Sequence, residues 1–176
     1  MGKRSSGAFP RRRHDAYFTP LKPVWALIPH LPHRPFTYIE PCAGDGRLVQ
    51  HLNQISEGVC EGAFDIVPQA EWVLMEDALE IVDTNVDMFI TNPPWTRNLL
   101  HPLIEHLSTI APCWLLFDTD WAHTKQALPY LRYCKKIVAV GRVSWMENGK
   151  AGKDNSAWYL FDQGNNAQTE FYGLTA

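Results

Sequence analysis

The chain has 176 residues, 45% of them hydrophobic, which is enough for one well-buried core and too little for two ordinary domains. Four scattered cysteines, Cys42, Cys60, Cys113 and Cys134, make neither a Cys-x-x-Cys pair nor a Cys/His cluster at zinc spacing, so no metal site is expected. The formal net charge of −3 conceals an uneven layout: residues 1–14 hold five of the 16 basic residues and none of the 19 acidic ones, a +5 arm on a −8 body.

The arm, rich in Gly and Ser as well as Arg, reads as flexible and suits a polyanion; Arg11, Arg12 and Arg13 are its candidate nucleic-acid contacts. No apolar run approaches the ~20 residues of a membrane span, and the start lacks a hydrophobic signal core. With reduced thiols, this gives the expectation of a soluble cytoplasmic protein with no membrane partner. Neither a protein partner nor a homo-oligomer is indicated.

In chain order, residues 21–28 have the apolar density of a short helix that Pro29 breaks, and Pro32 and Pro35 keep the next segment extended. Residues 36–40 read as the first strand, running into the turn Pro41-Cys42-Ala43-Gly44-Asp45-Gly46. Leu48, Val49, Leu52 and Ile55 then recur at helical spacing until Gly58. Further strands are expected at 59–64, ending at Asp65, and at 72–75, ending at Glu76-Asp77-Ala78. The apolar run 86–91 is closed by Asn92-Pro93-Pro94-Trp95, because proline fixes φ and cannot donate to a ladder. A helix over 99–110, a fifth strand over 113–117 and a helix over 122–131 follow, the last with Pro129 near its end. Strands at 136–143 and 157–161, joined by the polar loop 147–155, make a closing hairpin.

Strands alternating with helices predict an α/β fold: a Rossmann-like, doubly wound, mostly parallel sheet with a C-terminal antiparallel hairpin. No repeat or interdomain linker is visible, so residues 15–176 are expected to form a single domain. In such sheets ligands bind beyond the carboxyl ends of the strands, where the strand order reverses. Each motif above falls at such an end.

Gly44-Asp45-Gly46 lets the backbone turn tightly and approach a ligand without Cβ clashes. Asp65, 19 residues beyond Gly46, stands where a strand-end acid grips ribose hydroxyls, and Asp77-Ala78 offers an acceptor for an adenine amino group. A nucleoside-bearing cofactor follows, whereas the phosphate-cradling pattern Gly-x-x-x-x-Gly-Lys-Ser/Thr is absent. The two prolines after Asn92 make a stiff turn that groups an amide, a fixed carbonyl and a flat aromatic, a patch suited to a planar ligand with an amino group.

With these residues in place the chain resembles the class I, Rossmann-like S-adenosylmethionine-dependent methyltransferases, specifically the amino-methylating group typified by DNA adenine-N6 methyltransferases. Small phage-encoded members look most similar. The resemblance spans nearly all of residues 15–176 and rests on Tyr17-Phe18-Thr19-Pro20, Glu40 through Gly46, Asp65, Asp77-Ala78 and Asn92-Pro93-Pro94-Trp95, in that order. It implies S-adenosylmethionine as cofactor, held by Tyr17, Thr19, Pro20, Glu40, Cys42, Ala43, Gly44, Asp45, Gly46, Asp65, Ile66, Asp77, Ala78 and Asn92. It implies catalysis by Asn92, Pro93, Pro94 and Trp95 in a bacterial or phage-infected cell. An exocyclic amine on a base is a poor nucleophile because its lone pair is delocalised into the ring. Acceptors at Asn92 Oδ1 and the Pro93 carbonyl would bond its two hydrogens and favour a pyramidal nitrogen, so positioning and electrostatics do most of the catalysis. Trp95 would stack on the base once it has left its helix. Cys42 follows a proline, as the nucleophile of cytosine-C5 methyltransferases does, but lies in the glycine turn and reads as packing or lining the cofactor.

Substrate choice rests on less. Only 17 residues separate Trp95 from Cys113 and only 15 follow Phe161, so no separate target-recognition domain is expected. Base selection would fall to short loops: Arg97, Lys150 and Lys153 as phosphate contacts, and Trp121 and His123 on the same edge. The reading is adenine-N6 methylation of DNA, favoured over RNA, with low or short-sequence specificity. The same chemistry on RNA or on a protein glutamine amide stays open, as does a non-catalytic cofactor-binding subunit.

Overall fold

Alternation along the strands decides which side chain meets which face of the sheet. Successive side chains of a strand point to opposite faces, so a strand buried on both sides reads as a continuous apolar run. In the computed structural model, which describes residues 18–82 and 84–174, β1 (Phe36–Glu40) sends Phe36 and Tyr38 to one core and Ile39 to the other. β5 (Cys113–Asp118) divides in the same way, Trp114 and Leu116 against Cys113, Leu115 and Phe117.

The first core is closed by α1 (Leu21–Leu27) through Val24 and Leu27 and by α2 (Arg47–Ile55) through Leu48, Val49 and Leu52. The second is closed by α3 (Arg97–Ile110), whose Leu100, Leu103, Ile104 and Leu107 recur at helical spacing. Each fully buried side chain of this size contributes about 1.5–3 kcal/mol, which is why helices of modest length suffice on both faces.

β2 (Gly58–Asp65), β3 (Leu74–Met75) and β4 (Met88–Thr91) complete the parallel part, and β6 (Cys134–Arg142) and β7 (Asn155–Phe161) form the antiparallel hairpin. The eight-stranded order is β3-β2-β1-β4-β5-β7-β6-β8, where β8 (Glu170–Tyr172) lies parallel to β6. The predicted α/β fold class, a doubly wound and mostly parallel sheet ended by a hairpin, is the one found. Among the described residues no helix is long and apolar enough to cross a membrane.

Strand bounds differ from expectation by up to two residues, as in Leu74–Met75 for 72–75, Cys134–Arg142 for 136–143 and Asn155–Phe161 for 157–161, and three departures have a visible local cause. β4 begins two residues late, because Asp87 accepts the Thr37 N–H on its carboxylate at 2.8 Å and gives its own N–H to the Thr37 carbonyl, a cross-link to β1 and not a strand residue. The helix over 122–131 is instead two 3-10 turns, Thr119–His123 and Lys125–Ala127, and one α-helical turn, α4 (Leu128–Leu131). Pro129 sits in the first turn of α4, where its missing N–H has no partner to lose. β8 was not expected; Lys135 Nζ donates to the Ala167 carbonyl and Thr169 Oγ1 to the Cys134 carbonyl, tying a polar segment to the edge of β6.

Candidate active site

The strand order reverses between β1 and β4, and the turns that follow these two strands flank one cleft. After β1 the chain turns with Gly44 at φ 54° and Gly46 at φ 75°, left-handed conformations that glycine adopts without Cβ strain. Any side chain at Gly46 would also run into the Trp72 ring. Gly46 is the N-cap of α2, so the turn delivers the chain straight into that helix. Asp65, at the end of β2, clamps the turn: Oδ2 accepts the Gly44 N–H at 2.8 Å while Oδ1 accepts the Val67 N–H at 2.8 Å. Asp77 Oδ1 accepts the Leu79 N–H at 2.9 Å and fixes the next turn.

The cleft has a volume of about 180 Å³. Of the predicted cofactor residues, Thr19, Glu40, Cys42, Ala43, Gly44, Asp45, Asp65, Ile66, Asp77, Ala78 and Asn92 line it. Pro20 and Gly46 do not; Pro20 caps α1 and Gly46 shapes the turn from behind. Tyr17 lies outside the described residues. The sequence reading missed Phe18, Val67, Leu79 and Leu99, apolar walls of the same cleft. Val67 and Leu79 each stand two residues beyond a strand-end acid, a signal that was there to be used. Phe18 packs 3.4 Å from where a Gly44 Cβ would stand, and the Arg47 guanidinium lies 5.5 Å above its ring.

Glu40, Asp45, Asp65 and Asp77 make the cleft strongly acidic, which favours a positively charged ligand and disfavours a polyphosphate. Glu40 is 2% exposed and its Oε2 has no hydrogen-bond partner among the described residues. Burial, then the neighbouring charges of Asp45 and Asp65, push its carboxyl well above the usual range. The Cys42 thiol is likewise pushed up, first by burial and then by Asp65, so the nucleophilic thiolate is suppressed.

Across the cleft, Asn92 and Pro94 form the opposite lip. Trp95 donates its indole N–H both to Asn92 Oδ1 at 3.2 Å and to the Leu116 carbonyl at 3.1 Å. Its ring meets Trp145 edge-on with centroids 5.6 Å apart. Trp145 belongs to the β6–β7 loop, which Glu147 anchors to the glycine turn through Arg47 at 2.6 Å.

No protein-family profile and no curated protein matches the chain. Solved structures do. A protein from Pyrococcus horikoshii provisionally named an RNA methyltransferase matches with TM-score 0.60 at 14% identity, over 85% of this chain and 87% of that one. The methyltransferase subunit of a type I restriction-modification system from Streptococcus thermophilus matches with TM-score 0.57 at 12% identity, over 89% of this chain and 46% of that one. A TehB-like S-adenosylmethionine-dependent methyltransferase from Corynebacterium glutamicum matches with TM-score 0.50 at 14% identity, over 80% and 86%. The fold is the methyltransferase fold. The chain spans less than half of the Streptococcus subunit.

On this methyltransferase fold the predicted polynucleotide contacts separate. Trp121 is 0% exposed, with its indole N–H on His101 Nε2 at 3.0 Å and its ring against Phe117, Tyr159 and Phe161. Burial, and then the Arg97 charge, hold the His101 ring below its usual range, which keeps it a neutral acceptor. Trp121 is therefore a core residue and is withdrawn as a nucleic-acid contact. Arg97 is half-buried and ion-paired with Asp118 at 2.7 Å. His123, Lys150 and Lys153 are exposed, the two lysines in the loop that carries Trp145. Arg11, Arg12 and Arg13 lie outside the described residues.

Proposed function

We propose that the chain is an S-adenosylmethionine-dependent methyltransferase acting on the exocyclic N6 amine of adenine in DNA, with low or short-sequence specificity. The observation that carries this reading is the shared cleft: Asn92 and Pro94 line the same cavity as Gly44, Asp65 and Asp77, at the reversal of strand order between β1 and β4, while Pro93 is buried behind them.

The residues present fit the cofactor. Its net positive charge suits Asp45, Asp65 and Asp77, and Glu40 Oε2, without a hydrogen-bond partner among the described residues, is the kind of buried acceptor that an ammonium group satisfies. Asp65 would take the ribose hydroxyls, Asp77 and Ala78 the adenine edge, and Ile66, Val67 and Leu79 its faces. When bound, the cofactor supplies an electrophilic methyl group on a sulfonium. The chain's own part is then to bind, orient and exclude water: Asn92 Oδ1 and the Pro93 carbonyl hold the two amine hydrogens, while Trp95 and the adjoining loops hold the base. The neighbours named as methyltransferases support the reaction class, those named as an RNA methyltransferase and as a restriction-modification subunit fit a polynucleotide substrate, and the basic arm favours a polyanion over a peptide.

The test supplies labelled S-adenosylmethionine and, separately, duplex DNA, single-stranded DNA, RNA and a protein bearing an accessible glutamine. Label on N6 of adenine in DNA is the expected result; label only in RNA or protein would refute the substrate. Asn92→Ala is expected to lower transfer by about 10²–10³-fold while cofactor affinity is retained, as removal of a positioned transition-state group does.

A further inference from the structure

Pro93 falls where the β4–β5 ladder needs a donor. The two strands run parallel with Phe89, Ile90 and Thr91 opposite Cys113, Trp114 and Leu115, and the Phe89 N–H donates to the Pro112 carbonyl at 2.9 Å. Parallel ladders repeat every two residues, so after Thr91 the next N–H would come from residue 93 and meet the carbonyl of Leu116. Residue 93 is proline and has no N–H. Leu116 lies in the fully buried part of β5, where an unmet carbonyl is costly. The Trp95 indole N–H fills the position, at 3.1 Å.

The same N–H reaches Asn92 Oδ1 at 3.2 Å. A donor of this kind tolerates only the oxygen end of a carboxamide, because the flipped amide would set NH₂ against N–H. An amide oxygen has two lone pairs, so the indole N–H orients the oxygen without exhausting it. We propose that the Trp95 indole N–H is a positioning group: it replaces the backbone rung that Pro93 removes and turns Asn92 Oδ1 toward the reacting amine. The assignment rests on the methyl-transfer reading above. It gives tryptophan a role that a phenyl ring, equally able to stack, does not fill.

The test replaces Trp95 by 3-benzothienylalanine, a near-isostere with sulfur in place of N–H, alongside Trp95→Phe. In the benzothienyl protein kcat for DNA is expected to fall about 10- to 100-fold, with KM and cofactor Kd within about twofold, the pattern of a missing orienting hydrogen bond. Adding Asn92→Ala to it is expected to cost much less than Asn92→Ala costs wild type, since the two act through one group. Wild-type kcat in the benzothienyl protein overturns the inference, as does a change confined to KM, which would leave the ring a stacking surface only. A second measurement follows the Trp95 indole proton by NMR: it is expected to move upfield in Asn92→Ala, and an unmoved resonance overturns the hydrogen bond with the methyl-transfer reading untouched. A wild-type protein that binds cofactor but transfers to none of the substrates overturns the methyl-transfer reading itself and the catalytic half of this one with it.

Discussion

Glu40 is a carboxylate kept in a dry place among other acids, and its consequences can be worked out with sign. Its folded-state pKa lies above the ordinary 4.5, so the fold favours the protonated form. Its contribution to stability is complete below pH 4.5 and is lost as pH rises through the raised value. A cation beside it favours the ionised form, so cofactor binding is expected to release a proton and to tighten over that same rise in pH. Glu40→Gln is expected to leave ligand-free stability at neutral pH unchanged or higher, while weakening the cofactor by about 1.5 kcal/mol or more, tenfold in Kd. Calorimetry at several pH values checks both; unaltered affinity in the variant would remove Glu40 from the site. At this scale the sequence was informative where backbone conformation or charge forces the residue. Gly44, Gly46, Asp65 and Asp77 sit at strand ends because glycine adopts those φ values without Cβ strain and a side-chain acceptor closes those turns. Trp121 was misread because its burial depends on His101 and Tyr159, which sequence distance hides.

The β6–β7 loop joins both halves of the cleft, with Trp145 against Trp95 and Glu147 on Arg47, which also pairs with Asp45 at 3.3 Å. Both partners of the Arg47–Glu147 pair are substantially exposed, so its worth to global stability is small, within about 1 kcal/mol. Its local effect is larger: Glu147→Gln is expected to leave the melting temperature nearly unchanged and to raise hydrogen exchange across residues 143–154. Equal exchange in the two proteins would mean that the aromatic pair alone holds the loop. Elements with a strong period, β1 and α3 above all, were legible within a few residues. Residues 119–131 were not, because Asp118 caps a 3-10 turn by accepting the Trp121 N–H at 2.8 Å, and a local side-chain bond of that kind competes with helix. β8 has three residues and no period to read; its parallel pairing with β6 makes it a strand.

Across the whole molecule, the alternation of strands and helices was enough to give the architecture, since βα crossovers of one hand leave few arrangements. The charge layout was equally plain from sequence, and it carries a test: deletion of residues 1–14 is expected to weaken polynucleotide binding and to flatten its dependence on salt, by up to about 0.9 in log–log slope for each phosphate that the arm no longer neutralises. An unaltered slope would separate the arm from binding. The reversal of strand order has one more consequence. Glu40 and Asn92 line one cleft only when β1 has paired with β4, two segments about fifty residues apart in the chain, so the two sides of the cleft meet through a long-range pairing. A ligand that spans the two sides binds only the chain in which both are assembled, so ligand binding and global folding are linked equilibria. A hundredfold excess of cofactor over its Kd is expected to add about 2.7 kcal/mol to unfolding of the entire sheet, making the melting temperature a direct gauge of occupancy.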